Sequence, residues 1–370
     1  MHLVSTALMQ DVTQFDAGAE KRSVALAIII PAFRIKHLGD ALRSIAAQTD
    51  QRFTVYVGDD SSTEPLEELV ESFRSQIHLR YHRFETNLGG TNLVAHWHRC
   101  IALSANEPWL WLFSDDDLME PECVARFYEA IEQPGSVPVD LFRFQLDQID
   151  EHSALSVRRL DHPAFEKSEN FLQALLSNPE RAFRAQEHIF SRRVYEQFGG
   201  FIDFPKAIYS DHATWLCFSA QNGVCTLAGP RVMWRCHPLG TSSGMKSAHR
   251  LHWHEAAKRY VQWLAVFSTR QGPETVRIFR RSGRDFYFRE LSRFRPVLTR
   301  AERQAATSFA QKIFGGTRIA ASLHLAYRLI HQKLILPRLI QPYRGWMTDH
   351  AGSRLRELST ASVLADDVKS

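Results

Sequence analysis

The stretch WLWLFSDDD at residues 109–117 joins five apolar residues to a serine and three aspartates. Its apolar part has the length of a buried strand. In an open α/β sheet, ligands bind outside the carboxyl ends of the strands. The stretch therefore predicts a buried strand that presents Asp115, Asp116 and Asp117 to a ligand site.

The sequence on both sides of this strand alternates short apolar runs with helix-like segments. The apolar runs cover residues 24–30, 53–57 and 77–84, and the helix-like segments cover residues 37–48, 64–73 and 90–103. Strands joined by crossover helices produce this alternation. We therefore predict an α/β fold with a mainly parallel, Rossmann-like sheet flanked by helices.

Downstream of Pro121 the pattern becomes less regular. Helices are predicted up to about residue 131 and at 211–220, and strands at 139–146, 188–191, 224–227 and 232–235. From residue 247 strand signals fade and arginine-rich helical sequence follows. We predict an N-terminal extension at 1–22, an α/β domain at 23–245 and a basic helical region at 246–370.

Charge is distributed unevenly along the 370 residues. The whole chain has 45 Lys or Arg and 41 Asp or Glu, a net charge of +4, whereas residues 251–350 hold 18 and 6. This asymmetry predicts an acidic front that holds a cation and a basic rear that faces an anionic partner. Nucleic acid is not predicted as that partner, because no recognisable nucleic-acid-binding fold accompanies the arginines.

Cysteine usage and hydropathy indicate a reducing, cytoplasmic setting. The five cysteines form no CxxC pair, which argues against zinc and against a disulfide framework. The most apolar segment, residues 24–33, is about half as long as a membrane-spanning helix. The first twenty residues contain three acidic residues and no long apolar stretch, so no secretory signal is expected.

The three adjacent aspartates predict a site for a divalent cation. Adjacent carboxylates repel one another unless a cation or hydrogen-bond donors compensate them. Mg²⁺ and Mn²⁺ suit oxygen ligands better than zinc does, and they usually bind one or two carboxylates together with substrate phosphates. A nucleotide diphosphate is therefore the expected ligand. Alternatively, Asp116 and Asp117 cap the helix after Pro121 or remain solvated loop charges.

Several motifs resemble, in order and spacing, those of family 2 glycosyltransferases. They are IIIPAF (28–33), SIAAQT (44–49), VGDDSS (57–62), NLG (87–89), WLFSDDD (111–117), GGF (199–201), SDH (210–212) and WRCH (234–237). The resemblance covers about residues 24–240. It implies a GT-A fold with a nucleotide-binding half at about 23–120 and an acceptor-binding half at about 121–245.

On the donor side, the resemblance implies a set of residues at the strand ends. The implied donor-binding residues are Pro31, Ala32, Phe33, Asp60, Asn87, Gly89, Asn92, Asp115, Asp116 and Arg235, and the implied metal ligands are Asp117, Asp115 and His237. Asp60 would accept a hydrogen bond from the imide N–H of uracil or thymine. Asp117 or Asp116 would reach the metal. The alternatives are turn chemistry for Asn87, Gly89 and Asn92, a salt bridge for Arg235 and packing for His237.

On the acceptor side, the resemblance implies that Asp211 is the general base that takes a proton from the acceptor hydroxyl. Gly199, Gly200 and Phe201 would contact the acceptor. The alternatives are a helix cap for Asp211 and a helix stop for the two glycines. The sequence departs from the family by placing Arg34 after Phe33, where many relatives have Asn, and Ser210 before Asp211, where Glu is common.

Together these observations predict an inverting, metal-dependent glycosyltransferase that uses a UDP- or dTDP-sugar. Its acceptor would be a hydroxyl of a glycan or polyprenyl-linked molecule, in bacterial surface polysaccharide assembly. The alternatives are a sugar nucleotidyltransferase and a non-catalytic protein of the same fold that binds nucleotide or sugar.

The basic rear segment also predicts contact with an anionic membrane surface. His324, Arg328 and His331 fall near one helical face, and apolar residues such as Leu329 and Ile330 lie on another. This pattern is typical of an interfacial helix, which would place the protein peripherally on the inner face of the cell membrane. The alternative is an amphipathic helix packed on the catalytic domain.

Overall fold

A computed structural model describes residues 25–133, 138–237, 247–292 and 299–339, so the predicted extension at 1–22 lies outside the described residues. The strands are β1 (Leu26–Ala32), β2 (Phe53–Asp59), β3 (Leu79–Arg83), β4 (Trp109–Leu112), β5 (Leu118–Met119), β6 (Leu141–Ile149), β7 (Leu155–Arg158), β8 (Phe165–Glu166), β9 (His188–Ser191) and β10 (Val224–Arg235). The helices are α1 (Ile35–Ala46), α2 (Leu66–Glu71), α3 (Leu93–Ile101), α4 (Cys123–Glu132), α5 (Ser168–Ser177), α6 (Arg192–Gln197), α7 (Ser210–Phe218), α8 (Ser247–Gln271), α9 (Pro273–Ser292), α10 (Arg300–Phe314) and α11 (Arg318–Leu339).

The strands form one sheet in the order β3-β2-β1-β4-β9-β6-β10-β5, with β7 paired to β6 and β8 to β10. The first four strands are parallel, as the alternation of strands and crossover helices predicts. β9 runs antiparallel to both of its neighbours, and β6 and β10 are again parallel to each other. The sheet is therefore mixed, with its parallel half formed by the N-terminal strands.

Both faces of the sheet are covered by helices. Alternate residues of a strand point to opposite faces, so Ile28 and Ile30 pack with α1, α2 and α4, while Ala27 and Ile29 belong to a core that includes α3, α5 and α7. All four side chains are fully buried. The result is a sheet between two helical layers, which confirms the predicted α/β class.

The two strands predicted at 224–227 and 232–235 are one strand. β10 continues through Gly229 and Pro230, with a shift in its register against β6 between Leu227 and Arg231. Glycine and proline usually mark a turn, but here they form a bulge in a strand that keeps its partner. This continuity brings Arg235 to the same sheet edge as the end of β4.

The C-terminal region is helical, as predicted, and shares its core with the sheet. Residues of α8, α9 and α10 belong to the same buried cluster as Trp215 of α7 and Phe190 of β9. The hydrophobic core thus crosses the boundary predicted near residue 245. Within the described ranges, no helix is both long and apolar enough to cross a membrane.

The predicted basic face of α11 is partly engaged inside the protein. Asp285 of α9 accepts hydrogen bonds from Arg328 and pairs with His324 at 2.9 Å. The side chain of His331 lies outside the described residues. Among the side chains of this helix that the structure describes, Ile319, Leu323 and Tyr327 are large, apolar and exposed. Contact with an anionic membrane remains a prediction.

Candidate active site

The ends of β1, β2 and β4 are joined by main-chain contacts at one edge of the sheet. The amide of Phe33, just after β1, donates to Asp115 Oδ2 at 3.0 Å, and that of Arg34 donates to the same atom at 3.4 Å. The amide of Asp60, just after β2, donates to the Ala32 carbonyl at 2.9 Å. Three of the predicted donor-site segments therefore lie together, because neighbouring parallel strands end side by side.

Asp60 is a buried carboxylate, 2% exposed, at the base of this edge. Its Oδ1 accepts from the Leu88 amide and its Oδ2 from the Gly89 amide, each at 2.8 Å. Arg99 of α3 also donates to Oδ1. These donors fix the carboxylate at the end of β2, and the aromatic ring of Phe33 is 40% exposed near this point of the edge.

The loop at residues 87–92 is held by its own side chains and by hydrogen bonds to Asp203 and Lys206. Asn87 Oδ1 accepts from the Gly90 amide at 2.9 Å, and Asn92 caps α3 by accepting from the Ala95 amide at 2.9 Å. A side chain at position 89 would place its Cβ 2.7 Å from Asp60 Oδ2, so glycine is required there. The turn chemistry considered as the alternative is present, and it shapes the loop beside Asp60.

Asp115 and Asp117 are crowded carboxylates. Burial and the neighbouring charge of Asp116 raise the pKa of Asp115 to about 7 and that of Asp117 well above its usual range. Asp117 is 1% exposed and accepts from the Arg235 amide at 2.6 Å. A bound cation would relieve the repulsion among these neighbouring carboxylates.

Arg235 is fully buried and holds the end of β10 to two loops. Its Nε donates to the Asp116 carbonyl at 2.7 Å, and Nη1 donates to the carbonyls of Asp150 and Glu151, each at 3.2 Å. A third contact from Nη1 reaches Ser153 Oγ at 3.0 Å. Arg235 thus fixes the loop of Asp115, Asp116 and Asp117, which we call the aspartate loop. The phosphate contact implied by the resemblance remains a prediction.

Asp116 and His237 are paired at the open side of the same loop. Asp116 Oδ2 lies 2.9 Å from His237 Nε2, and the Asp116 side chain is 26% exposed. Neighbouring ligands of an octahedral cation with bonds near 2.1 Å are separated by roughly 3.0 Å. His237 Nδ1 is buried and has no hydrogen-bond partner among the described residues. This oxygen and nitrogen therefore fit adjacent positions around a divalent cation.

In the part of the chain that the structure describes, no three His, Cys, Asp or Glu side chains converge as a complete metal site. A cation held by one or two protein ligands and by the phosphates of a substrate needs no such cage. The residues present therefore fit Mg²⁺ or Mn²⁺ bound together with a nucleotide diphosphate.

Asp211 lies in the first turn of α7. Its Oδ1 accepts from the adjacent His212 amide at 2.8 Å. The guanidinium of Arg184 lies 4.2 Å from the centre of the Trp234 ring. Burial lowers the pKa of Arg184, and the carboxylates of Asp211, Glu187 and Asp117 counteract that effect. The positively charged side chain of Arg184 thus interacts with both the aspartate loop and Asp211.

The predicted acceptor segment has a structural role in this arrangement. Gly199 and Gly200 have φ of +72° and +90° and end α6. A Cβ at Gly200 would meet the His98 ring at 2.1 Å, and Phe201 is 5% exposed within the aromatic core. The helix stop considered as the alternative is present, and contact of these residues with an acceptor remains a prediction.

Arg184, Glu187 and His37 belong to the site but were not predicted. Glu187 is fully buried, its Oε1 accepts from the Arg184 amide at 2.7 Å, and burial raises its pKa to about 8. Burial also lowers the pKa of His37 to about 4, and its ring meets that of His237 edge to face at 5.0 Å. No local motif marks these residues: Arg184 and His37 contact Trp234 and His237, which are distant in sequence, and Glu187 is joined to Arg184.

Known proteins are similar to this chain over part of its length. Residues 27–197 match the family model described as Glycosyl transferase family 2. Poly(ribitol-phosphate) beta-N-acetylglucosaminyltransferase TarS from two strains of Staphylococcus aureus is 33% identical over 93 residues, which make up 24% of this chain and 16% of TarS. The matched segment is therefore a small part of the length of that relative.

Solved structures show a likeness over a longer range. The structure of S. aureus TarS 1-349 has a TM-score of 0.57 at 15% identity and covers 85% of this chain and 91% of that chain. The same fragment in complex with UDP-GlcNAc has a TM-score of 0.51 at 14% identity, with the same coverage. At this identity the likeness shows the fold alone. It confirms the GT-A fold predicted from the sequence.

Proposed function

We propose that this chain, whose residues 27–197 form a glycosyl transferase family 2 domain, moves a sugar from a nucleotide diphosphate to a hydroxyl group. The donor is a UDP- or dTDP-sugar, and the acceptor is a glycan or a polyprenyl-linked molecule. The anomeric configuration inverts. The pathway is the assembly of a bacterial surface polysaccharide.

The observation that carries this proposal is that the Arg184 guanidinium, which lies over the Trp234 ring, interacts electrostatically with both Asp117 of the aspartate loop and Asp211. A candidate base and a candidate leaving-group site therefore share one arginine. Transfer from a nucleotide sugar requires both, because a proton is removed from the acceptor while negative charge develops on the diphosphate.

The donor nucleotide is placed at the edge formed by β1, β2 and β4. A carboxylate offers about four acceptor positions, and three of those of Asp60 are taken by Leu88, Gly89 and Arg99. The remaining position accepts the imide N–H of uracil or thymine, and the exposed Phe33 ring provides an apolar surface beside it. The UDP-GlcNAc complex of TarS supports a uridine nucleotide.

Asp116 and His237 would hold the divalent cation, Mn²⁺ or Mg²⁺, and Asp115 and Asp117 would add negative charge around it. We prefer Asp116 to Asp117 as the direct ligand because Asp117 is buried and bound to the Arg235 amide. When bound, the cation neutralises charge on the diphosphate. Arg184 supplies a second positive charge on the same side.

Asp211 takes the proton from the acceptor hydroxyl. The acceptor oxygen then forms a bond to the anomeric carbon, and the electrons of the broken C–O bond go to the diphosphate. A single displacement with one base and no covalent intermediate inverts the configuration. The Asp211 side chain at the first turn of α7 is half-buried, so it remains open to an acceptor.

Two other functions are compatible with the same fold. A sugar nucleotidyltransferase would make the activated sugar and release inorganic diphosphate. A non-catalytic protein would bind the nucleotide and release nothing. The interaction of Arg184 with both Asp211 and the aspartate loop favours sugar transfer, since a protein that only binds nucleotide needs no base for an acceptor hydroxyl.

The test begins with thermal shifts of the full chain with UDP-, dTDP-, GDP- and CMP-sugars, each with and without Mn²⁺. We expect Mn²⁺-dependent stabilisation by a uridine or thymidine nucleotide. The bound sugar nucleotide is then supplied with poly(ribitol phosphate) or polyprenyl-linked glycan, and release of nucleoside diphosphate is measured. A nucleotidyltransferase would instead release inorganic diphosphate in a parallel assay with a nucleoside triphosphate and a sugar 1-phosphate. Binding without release in either assay would overturn the proposed activity. A guanosine preference would contradict the Asp60 contact.

A further inference from the structure

The segment that leads into α7 has an unusual main-chain conformation. Tyr209, directly before the helix, has φ +69° and ψ 6°, and Lys206 and Ala207 have φ of +59° and +57°. The left-handed region is unfavourable for residues other than glycine, above all for bulky ones. Such a conformation persists only where surrounding contacts over-determine it. Asp211 follows Tyr209 by two residues, so whatever holds Tyr209 also sets the direction of the base.

The contacts that hold Tyr209 come from α8 and α9. Its hydroxyl donates to Glu290 Oε2 at 2.7 Å. Trp253 Nε1 donates to the Tyr209 hydroxyl at 2.8 Å and to the same Glu290 oxygen at 3.1 Å. The Tyr209 ring stacks on Tyr260 with centroids 4.9 Å apart and planes 12° apart. We call Tyr209, Trp253 and Glu290 the anchor triad.

The anchor triad is polar although it lies in an apolar core. Tyr209 and Glu290 are 7% and 2% exposed, and the triad is surrounded by aromatic rings such as those of Tyr260 and Phe286. A buried polar group is costly unless it is hydrogen-bonded, and a network in such surroundings fixes one geometry. Apolar side chains would fill the space but would not determine the position of the Tyr209 hydroxyl.

We infer that the anchor triad is a positioning device for the general base, through which α8 and α9 hold Tyr209 in its left-handed conformation and thereby aim Asp211. The inference rests on the proposed function, because it assigns Asp211 the role of base. It gives the C-terminal helices a part in turnover that is separate from binding of the donor. The anchor residues act through Asp211.

The test compares Tyr209→Phe, Glu290→Ala and Glu290→Gln in the full-length chain. We expect the first two to lower kcat by about 10- to 100-fold, because small displacements of a catalytic group are costly, and to leave the KM for the nucleotide sugar unchanged. Glu290→Gln should keep most of the activity, since its amide oxygen still accepts from the Tyr209 hydroxyl. Tyr287→Phe is the matched control, because it removes another buried tyrosine hydroxyl at the neighbouring turn of α9.

A second measurement separates the anchor from the reaction. Hydrogen exchange of the amides in residues 204–211 should become faster in Glu290→Ala and stay unchanged in Glu290→Gln. No transfer by the wild-type chain would refute the proposed function, while the exchange rates would still test the anchor. Wild-type kcat in both Tyr209→Phe and Glu290→Ala would overturn the inference, and so would an equal loss in Tyr287→Phe. Thermal unfolding of each variant shows whether it is folded.

Discussion

The aspartate loop and the segment that carries Asp211 are held by different parts of the chain. The ends of two strands hold the loop: the amides of Phe33 and Arg34, just after β1, donate to Asp115, and Arg235 at the end of β10 donates from its amide to Asp117 and from its side chain to the Asp116 carbonyl. The segment before Asp211 is held by side chains of α8 and α9, which lie beyond residue 246.

This difference explains where family motifs can be recognised. The matched family region ends at residue 197 and includes the ends of β1, β2 and β4. Asp211, the proposed base, lies after it, and the anchor triad draws on residues up to Glu290. The ends of β1, β2 and β4 are therefore marked by short motifs, whereas Arg235, His237 and the segment before Asp211 join the site through contacts between residues 81 or more positions apart.

The largest effect should come from replacing Asp211, the proposed base. We expect Asp211→Asn to lower kcat by about 10³-fold, within the range of general-base catalysis, and to leave donor binding unchanged. Transfer is measured by nucleoside diphosphate release, and binding by calorimetry with Mn²⁺ and UDP. Retained turnover would show that another group removes the proton.

In the aspartate loop region, His237→Gln should lower the rate of sugar transfer by about 10²-fold. It should also raise the Mn²⁺ concentration needed for the half-maximal rate. The physical reason is the loss of one of two protein ligands to the cation. Chelation of metal should stop wild-type transfer, and added Mn²⁺ should restore it. An unchanged Mn²⁺ dependence in the variant would place the cation elsewhere.

Arg184 interacts with both Asp117 and Asp211, so its replacement tests whether these two groups act in the same reaction. We expect Arg184→Gln to lower kcat by about 10- to 50-fold, because one positive charge near the leaving group is lost. Arg193→Gln is the control, since that arginine is 62% exposed and pairs with Asp140 away from the cleft. Equal rates for both variants would remove Arg184 from the reaction.

The last prediction concerns stability and pH rather than turnover. Burial raises the pKa of Glu187 from 4.5 to about 8, so between these values the unfolded chain releases a proton that the folded chain keeps. The free energy of unfolding therefore falls as pH rises through this window, by up to about 1.4 kcal/mol per pH unit. Glu187→Gln should lack this contribution, which urea unfolding at pH 5, 6.5 and 8 can measure. Parallel pH dependences of the two proteins would mean that Glu187 is ionised when folded.

Much of the fold follows from the sequence because its strongest signals are local. The apolar runs that form β1, β2 and β4, and the helices between them, were predicted to within a few residues. β5 and β8 have two residues each and were not predicted, since their pairing partners define them. α5 was also not predicted, although its apolar residues pack into the core.

The candidate site divides in the same way. Asp60, Asp115 and His237 follow strand ends, where the sheet itself indicates a ligand. Arg184 gives no such signal, since its role depends on the Trp234 ring beneath it and on carboxylates from two other elements. Sequence patterns indicate which side chains follow a strand end. They do not show that Arg184, which is distant in sequence, lies near those side chains.

The core shared by α7 and α8 also limits which chimeras of this protein can fold correctly. A chimera that receives the tail of another glycosyltransferase after residue 246 would lose the stacked rings of Tyr260, Trp263 and Phe267 together with the hydrogen bonds to Tyr209. Grafting therefore has to carry residues 204–218 along with the helices. The C-terminal helices and the segment that carries Asp211 therefore have to be transferred together.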